Sequence, residues 1–245
     1  MTAYYNEIEP YAAQWLRNLI AAGHIAPGDV DERDIRDVRP DDLRGYQQCH
    51  FFAGVGVWSH SLRRAGWGDD RPVWTGSCPC QPFSQAGAGL AFADERHLWP
   101  HFFHLISECR PAVVLGEQVA SKDADPWIDL VQTDLEGLGY GVGAVPFPAA
   151  GIGAPNIRDR LYWVAHADDA RLEGRQPLRE RTSECSPWAG GVAVRGRDGR
   201  ERLIEPGIQP LAHGSPARVG RLRAYGNAIN AEAARVWIET VMESL

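Results

Sequence analysis

The sequence predicts an open α/β sheet, mostly parallel, and three observations point to it. Short apolar runs that suit buried strands, such as Val73-Trp74-Thr75 and Ala112-Val113-Val114-Leu115, are interleaved with helical stretches such as Trp58 to Ala65. Glycines stand between an apolar run and a helix in Phe51-Phe52-Ala53-Gly54-Val55-Gly56. Such a turn lets a ligand approach the backbone closely and use the helix N-terminus. Reactive residues follow directly on strands, at the carboxyl edge where ligands gather in open α/β sheets.

Along the chain, Ala3 to Tyr11 reads as a strand ending in Glu7, with Pro10 in the first turn of a helix. That helix, Pro10 to about Ala22, carries an apolar stripe of Ala13, Leu16, Leu19 and Ile20. The acidic segment Gly28 to Ile35 follows, and Gln48-Cys49-His50-Phe51 leads into the glycine turn. Beyond the strand Val73-Trp74-Thr75, Pro79 and Pro82 forbid continuing as strand or helix, so Cys80 is held on a rigid turn. A lone cysteine is most often a packed core residue. Prolines on either side are hard to reconcile with packing alone. The loop from Gln85 to Arg96, with Gly87 and Gly89, is flexible enough to act as a lid.

The strand at Ala112 ends in Gly116-Glu117-Gln118-Val119, placing a carboxylate at the same sheet edge as Cys80. A helix is expected around Ile128 to Leu138, followed by a turn-rich link from Gly139 to Gly143 with Pro146 and Pro148. Asn156 to Val164 then places Arg158 and Arg160 at period two, on one face of an extended segment. From His166 to about Ala217 the chain turns Gly-, Pro- and Arg-rich with weak periodicity, with a hairpin expected around Val192 to Leu203. A last helix, Ala231 to Glu243, offers Ala234, Val236, Trp237, Ile238 and Val241 for packing.

A chain of 245 residues, 44% of them hydrophobic, suits one domain with a real core, or one domain with a small appendage. The N-terminus has no apolar signal core, and no apolar run approaches the roughly 20 residues that span a bilayer. A soluble, cytoplasmic protein is expected. Five irregularly spaced cysteines argue against a disulfide framework. Cys78 and Cys80 lack a second Cys/His pair at ligand-like spacing, so no metal is expected. The net charge of -7 is awkward for a nucleic-acid binder, but acids cluster early and arginines late, from Arg171 to Arg223. The local field at a cleft matters more than the sum.

Together these segments resemble the DNA cytosine-5 methyltransferase family. The F-x-G-x-G element is Phe52 to Gly56, the P-C-Q motif is Pro79-Cys80-Gln81, and the E-N-V motif appears as Glu117-Gln118-Val119. The Q-x-R-x-R motif appears as Asn156 to Arg160, and the closing G-N-A element is Gly226-Asn227-Ala228. The resemblance spans nearly the whole chain apart from the stretch after His166. Gln118 and Asn156 depart from the family pattern; both keep a side-chain amide but change its reach by one methylene. The likeness is to a short, phage-like form with permuted cofactor motifs. Glu7-Ile8-Glu9-Pro10-Tyr11 resembles the segment whose Glu binds the cofactor ribose, and Gly28 to Ile35 the segment supplying an adenine-contacting Asp. Asp31 is the choice there, with Asp29 and Asp34 as alternatives. The competing reading makes residues 1–45 an unrelated acidic arm.

The resemblance implies a Rossmann-like S-adenosylmethionine-dependent methyltransferase sheet, with one antiparallel hairpin and a small irregular DNA-recognition appendage. Residues 1–165 would form the catalytic domain, with 1–47 the displaced second and third strand units and 48–165 the nucleophile and base-binding core. Residues 166–217 would be the target-recognition region, and 218–245 would return to the catalytic domain. The donor is S-adenosyl-L-methionine and the substrate double-stranded DNA, with no obligate protein partner evident. Cys80 would be the nucleophile, Glu117 would bond the ring nitrogen and amine of cytosine, Arg158 would favour the thiolate, and Arg160 would hold the carbonyl oxygen. Phe52, Gly54, Gly56, Glu7, Ile8, Asp31, Leu98 and Asn227 would bind the cofactor; Pro79, Gln81, Ser84, Gln85 and Gln118 would face the base or DNA. Two alternatives stay open: a catalytically impaired DNA-binding relative, and the same chemistry on RNA, a free nucleotide or with a modified sulfonium donor.

Overall fold

The structure is a computed structural model, and it describes residues 3–79, 98–120, 125–154, 156–167, 192–195, 199, 201–204 and 227–245. Its centre is a seven-stranded sheet built from β1 (Ala3–Asn6), β2 (Gly28–Asp31), β3 (Gln48–Phe51), β4 (Val73–Gly76), β5 (Val113–Val119), β6 (Gly141–Pro146) and β7 (Arg160–His166). The order across the sheet is β2-β1-β3-β4-β5-β7-β6. The first five pairings in that order are four parallel and then one antiparallel, β5 with β7, and β7 pairs antiparallel with β6. The open, mostly parallel sheet with one antiparallel hairpin is therefore as the sequence leads one to expect.

The central β4 and the first half of β5 read as apolar runs because both faces are covered. Alternate residues go to opposite layers. Tyr5, Val73, Leu115, Tyr162 and Val164 face one way, towards α1 (Pro10–Ala21), α2 (Val57–Arg64) and α5 (Ala231–Ser244). Tyr4, Trp74, Val114, Trp163 and Ala165 face the other way, towards α3 (Trp99–Cys109) and α4 (Asp125–Gly137). In that second layer the Trp99 ring meets Trp127 and Trp163 edge-on, and its indole N–H donates to Asp134 at 2.8 Å. The helix termini follow local rules. Pro10 occupies the first turn of α1 behind a Glu9 cap, and Asn230 caps α5 by accepting from the Ala233 N–H.

The chain lays down β1 and β2 before β3, the strand that leads into the glycine turn, and β3 then docks on the other side of β1. The return from β2 must cross β1. It does so through two short 3-10 turns, Ile35–Asp37 and Pro40–Leu43, whose Ile35, Val38 and Leu43 pack into the α3 layer. Helix α2 joins the parallel neighbours β3 and β4, as expected from their adjacency. The last helix, α5, packs back on α2, with the Ser61 hydroxyl donating to the Ala231 carbonyl at 2.9 Å. A separate antiparallel pair, β8 (Val192–Arg195) with β9 (Glu201–Ile204), lies where a hairpin is expected. The rest of 168–217 and the loop 80–97 lie outside the described residues. Among the described residues no helix is long and apolar enough to cross a membrane.

His50 is a titratable group inside this sheet. It is 1% exposed, shares a 2.8 Å hydrogen bond between Nδ1 and the Thr75 hydroxyl, and stacks on Tyr5 at 4.9 Å. Burial pushes its pKa down to about 3, against a weak opposing pull from Asp69. The folded state therefore keeps the neutral ring, while the unfolded chain takes up a proton below about pH 6.5. This contribution is complete above that pH and is lost as pH falls towards 3, at about 1.4 kcal/mol per unit. Urea unfolding should show a wild-type stability that drops about 2 kcal/mol more than that of His50→Gln between pH 6.5 and 5. Parallel curves for the two proteins would show that His50 is not the group responsible.

Candidate active site at the carboxyl rim of the sheet

Parallel strands bring their C-terminal residues to one rim, and the antiparallel β7 brings its first residue to the same rim. Glu7 follows β1, the glycine turn follows β3, Ser77 to Pro79 follow β4, Glu117 to Val119 end β5 and Arg160 opens β7. A cavity of about 600 Å³ opens there, a size suited to a small-molecule ligand. On one side it is lined by Glu7, Ile8, Asp34, Ile35, Phe52 and Gly54; on the other by Ser77, Pro79, Glu117, Gln118, Arg160 and Asn227; Leu98 also lines it.

On the first side, Glu7 is fixed by backbone donors. Its carboxylate accepts from the Gly54 N–H at 2.7 Å and the Glu9 N–H at 2.9 Å. Burial raises its pKa, while these two bonds oppose the rise. Gly54 lies at φ +55°, a conformation that favours glycine, and its Cβ position is open towards the cavity. Phe52 adopts φ 52° without being glycine, so the turn stores strain beside the site. Ile8, 59% exposed, forms an apolar lip.

Two residues expected to contact the cofactor, Asp31 and Gly56, do not line the cavity. Asp31 does not line the cavity; its carboxylate meets the Arg33 guanidinium and the Tyr4 hydroxyl, each at 2.7 Å. Asp34, one of the alternatives, does line it. Its carboxylate caps the first 3-10 turn through the Arg36 N–H and pairs with the Arg36 guanidinium at 2.7 Å. Gly56 is also outside the cavity. A Cβ there would meet Leu16 at 3.0 Å, so this glycine serves the close approach of α1 to the start of α2.

On the second side, Glu117 is the centre. It is buried, 6% exposed, and Arg160 Nε lies 2.7 Å from its Oε1. The register explains the pairing. Glu117 faces Tyr162 across β5 and β7, so Arg160 is its diagonal neighbour on the same face. Burial pushes the Glu117 carboxyl up from its ordinary value, and Arg160, a Ser77 hydrogen bond and Arg158 pull it back. Gln118 is buried, and its amide donates to the Cys78 carbonyl at 3.1 Å while its oxygen accepts from the Val119 N–H. Its place is thus as a tether on the backbone just before Pro79.

Arg158 is half-buried, at φ 35°, and does not line the cavity. Its guanidinium donates to the Ala228 carbonyl, tying the base-side loop to the segment that includes Asn227. Burial lowers its pKa, and the nearby Arg160 adds to that. Cys80, Gln81, Ser84, Gln85 and the expected lid lie outside the described residues. Sequence reasoning missed Ser77, whose only signal was its place one residue past the end of β4.

Comparison with known proteins gives the family. The family model for C-5 cytosine-specific DNA methylases matches residues 2–188. The Type II methyltransferase M.AluI of Cellulosimicrobium cellulans is 31% identical over 131 residues, covering 49% of this chain and 25% of that protein. M.HaeII of Haemophilus aegyptius is 26% identical over 172 residues, covering 69% of this chain and 46% of that protein. The chain thus spans about a quarter to a half of the length of these curated relatives. Among solved structures, DNMT2 of Spodoptera frugiperda aligns with a TM-score of 0.49 at 16% identity, over 74% of this chain and 46% of that one. The family match covers most of the chain. The chain belongs to the C-5 cytosine-specific DNA methylase family.

Proposed function

We propose that this chain transfers a methyl group from S-adenosylmethionine to carbon 5 of cytosine in double-stranded DNA. The observation that carries the reading is the convergence on one cavity of the Glu117–Arg160 pair with Glu7 and the glycine turn. One half of that cavity suits a nucleoside-bearing cofactor. Glu7 offers a fixed carboxylate for ribose hydroxyls, Asp34 an acceptor for an exocyclic amine, and Ile8, Ile35, Phe52 and Leu98 apolar walls for a flat ring. When bound, S-adenosylmethionine supplies an electrophilic methyl group.

Carbon 5 of cytosine is a weak nucleophile and needs activation. The Cys80 thiolate adds to carbon 6, and the electron pair moves through the ring to carbon 5 and ring nitrogen 3. Glu117 gives a proton to that nitrogen and accepts from the exocyclic amine, while Arg160 donates to the carbonyl oxygen. Burial, by raising the Glu117 pKa, favours the protonated carboxyl that this requires. After carbon 5 takes the methyl group, its own proton passes to water, the carbon 6–sulfur bond breaks, the thiolate leaves, and ring nitrogen 3 returns its proton to Glu117. The target atom lies inside the duplex stack, so the nucleotide must be rotated out, at a few kcal/mol.

The test is incubation with duplex DNA and S-adenosylmethionine, then digestion to nucleosides and mass spectrometry. 5-Methyl-2′-deoxycytidine is the expected product; its absence, or methylation at nitrogen 4, would refute the reading. The placement of Asp34 yields a second result. Asp34→Asn preserves the cap, since asparagine caps as well as aspartate, but removes the charge. Calorimetry should show cofactor affinity falling about 10-fold or more, the loss of one charged hydrogen bond. Asp31→Asn should leave it unchanged; the reverse pattern would restore Asp31 as the contact.

A further inference from the structure

We propose that Ser77 is a positioning residue for Glu117, its hydroxyl aimed at the carboxyl group by the indole of Trp58. The inference rests on the methyltransferase reading for its consequence, but its geometry stands alone. An indole N–H can only donate. Trp58 is 4% exposed and its Nε1 donates to the Ser77 hydroxyl oxygen at 3.0 Å. That bond occupies an acceptor site on Ser77 and leaves its own proton to be given elsewhere. The parallel register of β4 and β5 pairs Gly76 with Gly116, so the next residues, Ser77 and Glu117, stand side by side at the rim. Both line the cavity, and the Ser77 hydroxyl stands close enough to the Glu117 carboxyl group to pull its pKa down.

The carboxyl group is therefore held from two flanks, by Ser77 from the β4 side and by Arg160 from β7, where Nε meets Oε1 at 2.7 Å. Among the described residues, the other charged or titratable groups facing it are Tyr162 on β7 and Arg158 in the preceding loop. Two donors at fixed places set the plane of the carboxyl group. That plane decides whether one oxygen meets ring nitrogen 3 and the other the exocyclic amine. Trp58 is the second residue of α2, directly after the glycine turn, so the donor that aims Ser77 is mounted on the cofactor side of the site.

A hydroxyl donor favours the ionised carboxylate, so its removal raises the Glu117 pKa. The experiment titrates the full chain carrying carboxyl-13C glutamate by NMR, with the Glu117 signal assigned by its loss in Glu117→Gln. In Ser77→Ala the Glu117 midpoint should rise by about one pH unit, and Ser77→Thr, which keeps the hydroxyl, should restore it. Trp58→Phe should move it the same way by less, and serves if Ser77→Ala does not fold. An unmoved midpoint in Ser77→Ala or, failing that, Trp58→Phe overturns the proposal. The pH–rate profile of methyl transfer reads the consequence: the alkaline limb in Ser77→Ala should move up with the midpoint. A uniform loss of rate with an unmoved limb would reduce Ser77 to a structural role and overturn the proposal. A shifted midpoint in a chain that transfers no methyl group would refute the activity and leave the Ser77 contact standing.

Discussion

Glu117→Gln should lower the rate of methyl transfer by about 10²- to 10⁴-fold, the range spanned by a positioned general acid. Glutamine keeps the shape of the side chain and leaves an oxygen for Arg160 Nε, so the Glu117–Arg160 contact survives in neutral form. Its amide can still span ring nitrogen 3 and the exocyclic amine by hydrogen bonds. What it lacks is a proton that can be given up as sulfur adds to carbon 6. The loss should therefore fall on kcat, with DNA affinity within a few-fold of wild type. Steady-state kinetics with a gel-shift measurement on the same DNA separates the two. A variant that loses binding but keeps kcat would make Glu117 a recognition group rather than an acid.

The second large effect is expected from Arg160→Ala, and it falls on stability as well as activity. Arg160 and Glu117 are both largely buried, with side chains 17% and 8% exposed. Removing one partner of a buried pair leaves the other uncompensated, at about 3–5 kcal/mol. With the guanidinium gone, nothing as strong opposes the burial that already raises Glu117. The sign follows from that. The folded pKa rises above the unfolded one, so the penalty is full where Glu117 is ionised and is relieved as pH falls and the carboxyl protonates. Urea unfolding should thus show a large deficit at pH 8 that shrinks towards pH 5. Arg160→Lys should recover part of the stability but little of the methyl transfer, because an ammonium lacks the planar fork. A pH-independent deficit would mean that the two side chains are not an energetic unit.

The fold was legible because its strands are short, apolar and followed at once by chemistry. Val73-Trp74-Thr75 and the run ending in Gly116-Glu117 became β4 and β5, and Arg158 and Arg160 stand at period two where the chain enters β7. The first strand could also be read, since Glu7 and Pro10 mark a strand-to-helix junction that recurs in the structure. The placement of Asp31 away from the cavity lining has a local reason. Three aspartates sit within six residues, and only the fold shows that Arg33 and Tyr4 hold the Asp31 carboxylate, that Arg36 holds that of Asp34, and that Asp34 lines the cavity. Arg158 and Gly56 likewise stand outside the cavity lining, because period and motif fix a residue's face but not which neighbour meets it. Gly56 is held by α1 and Arg158 by the Ala228 carbonyl, both distant in sequence. Ser77 was invisible because its role depends on an indole from another helix.

The proposed covalent bond between Cys80 and the target base is tested directly with duplex DNA made with 5-fluorocytosine. Fluorine replaces the carbon 5 hydrogen, so after methylation there is no proton to lose and the thiolate cannot leave. With S-adenosylmethionine present, wild-type protein should form a protein–DNA complex that survives denaturing electrophoresis, and peptide mapping should place the bond on Cys80. Cys80→Ala should form none. Methylation of ordinary DNA without any trapped complex, or a trapped complex on another residue, would contradict the proposed chemistry.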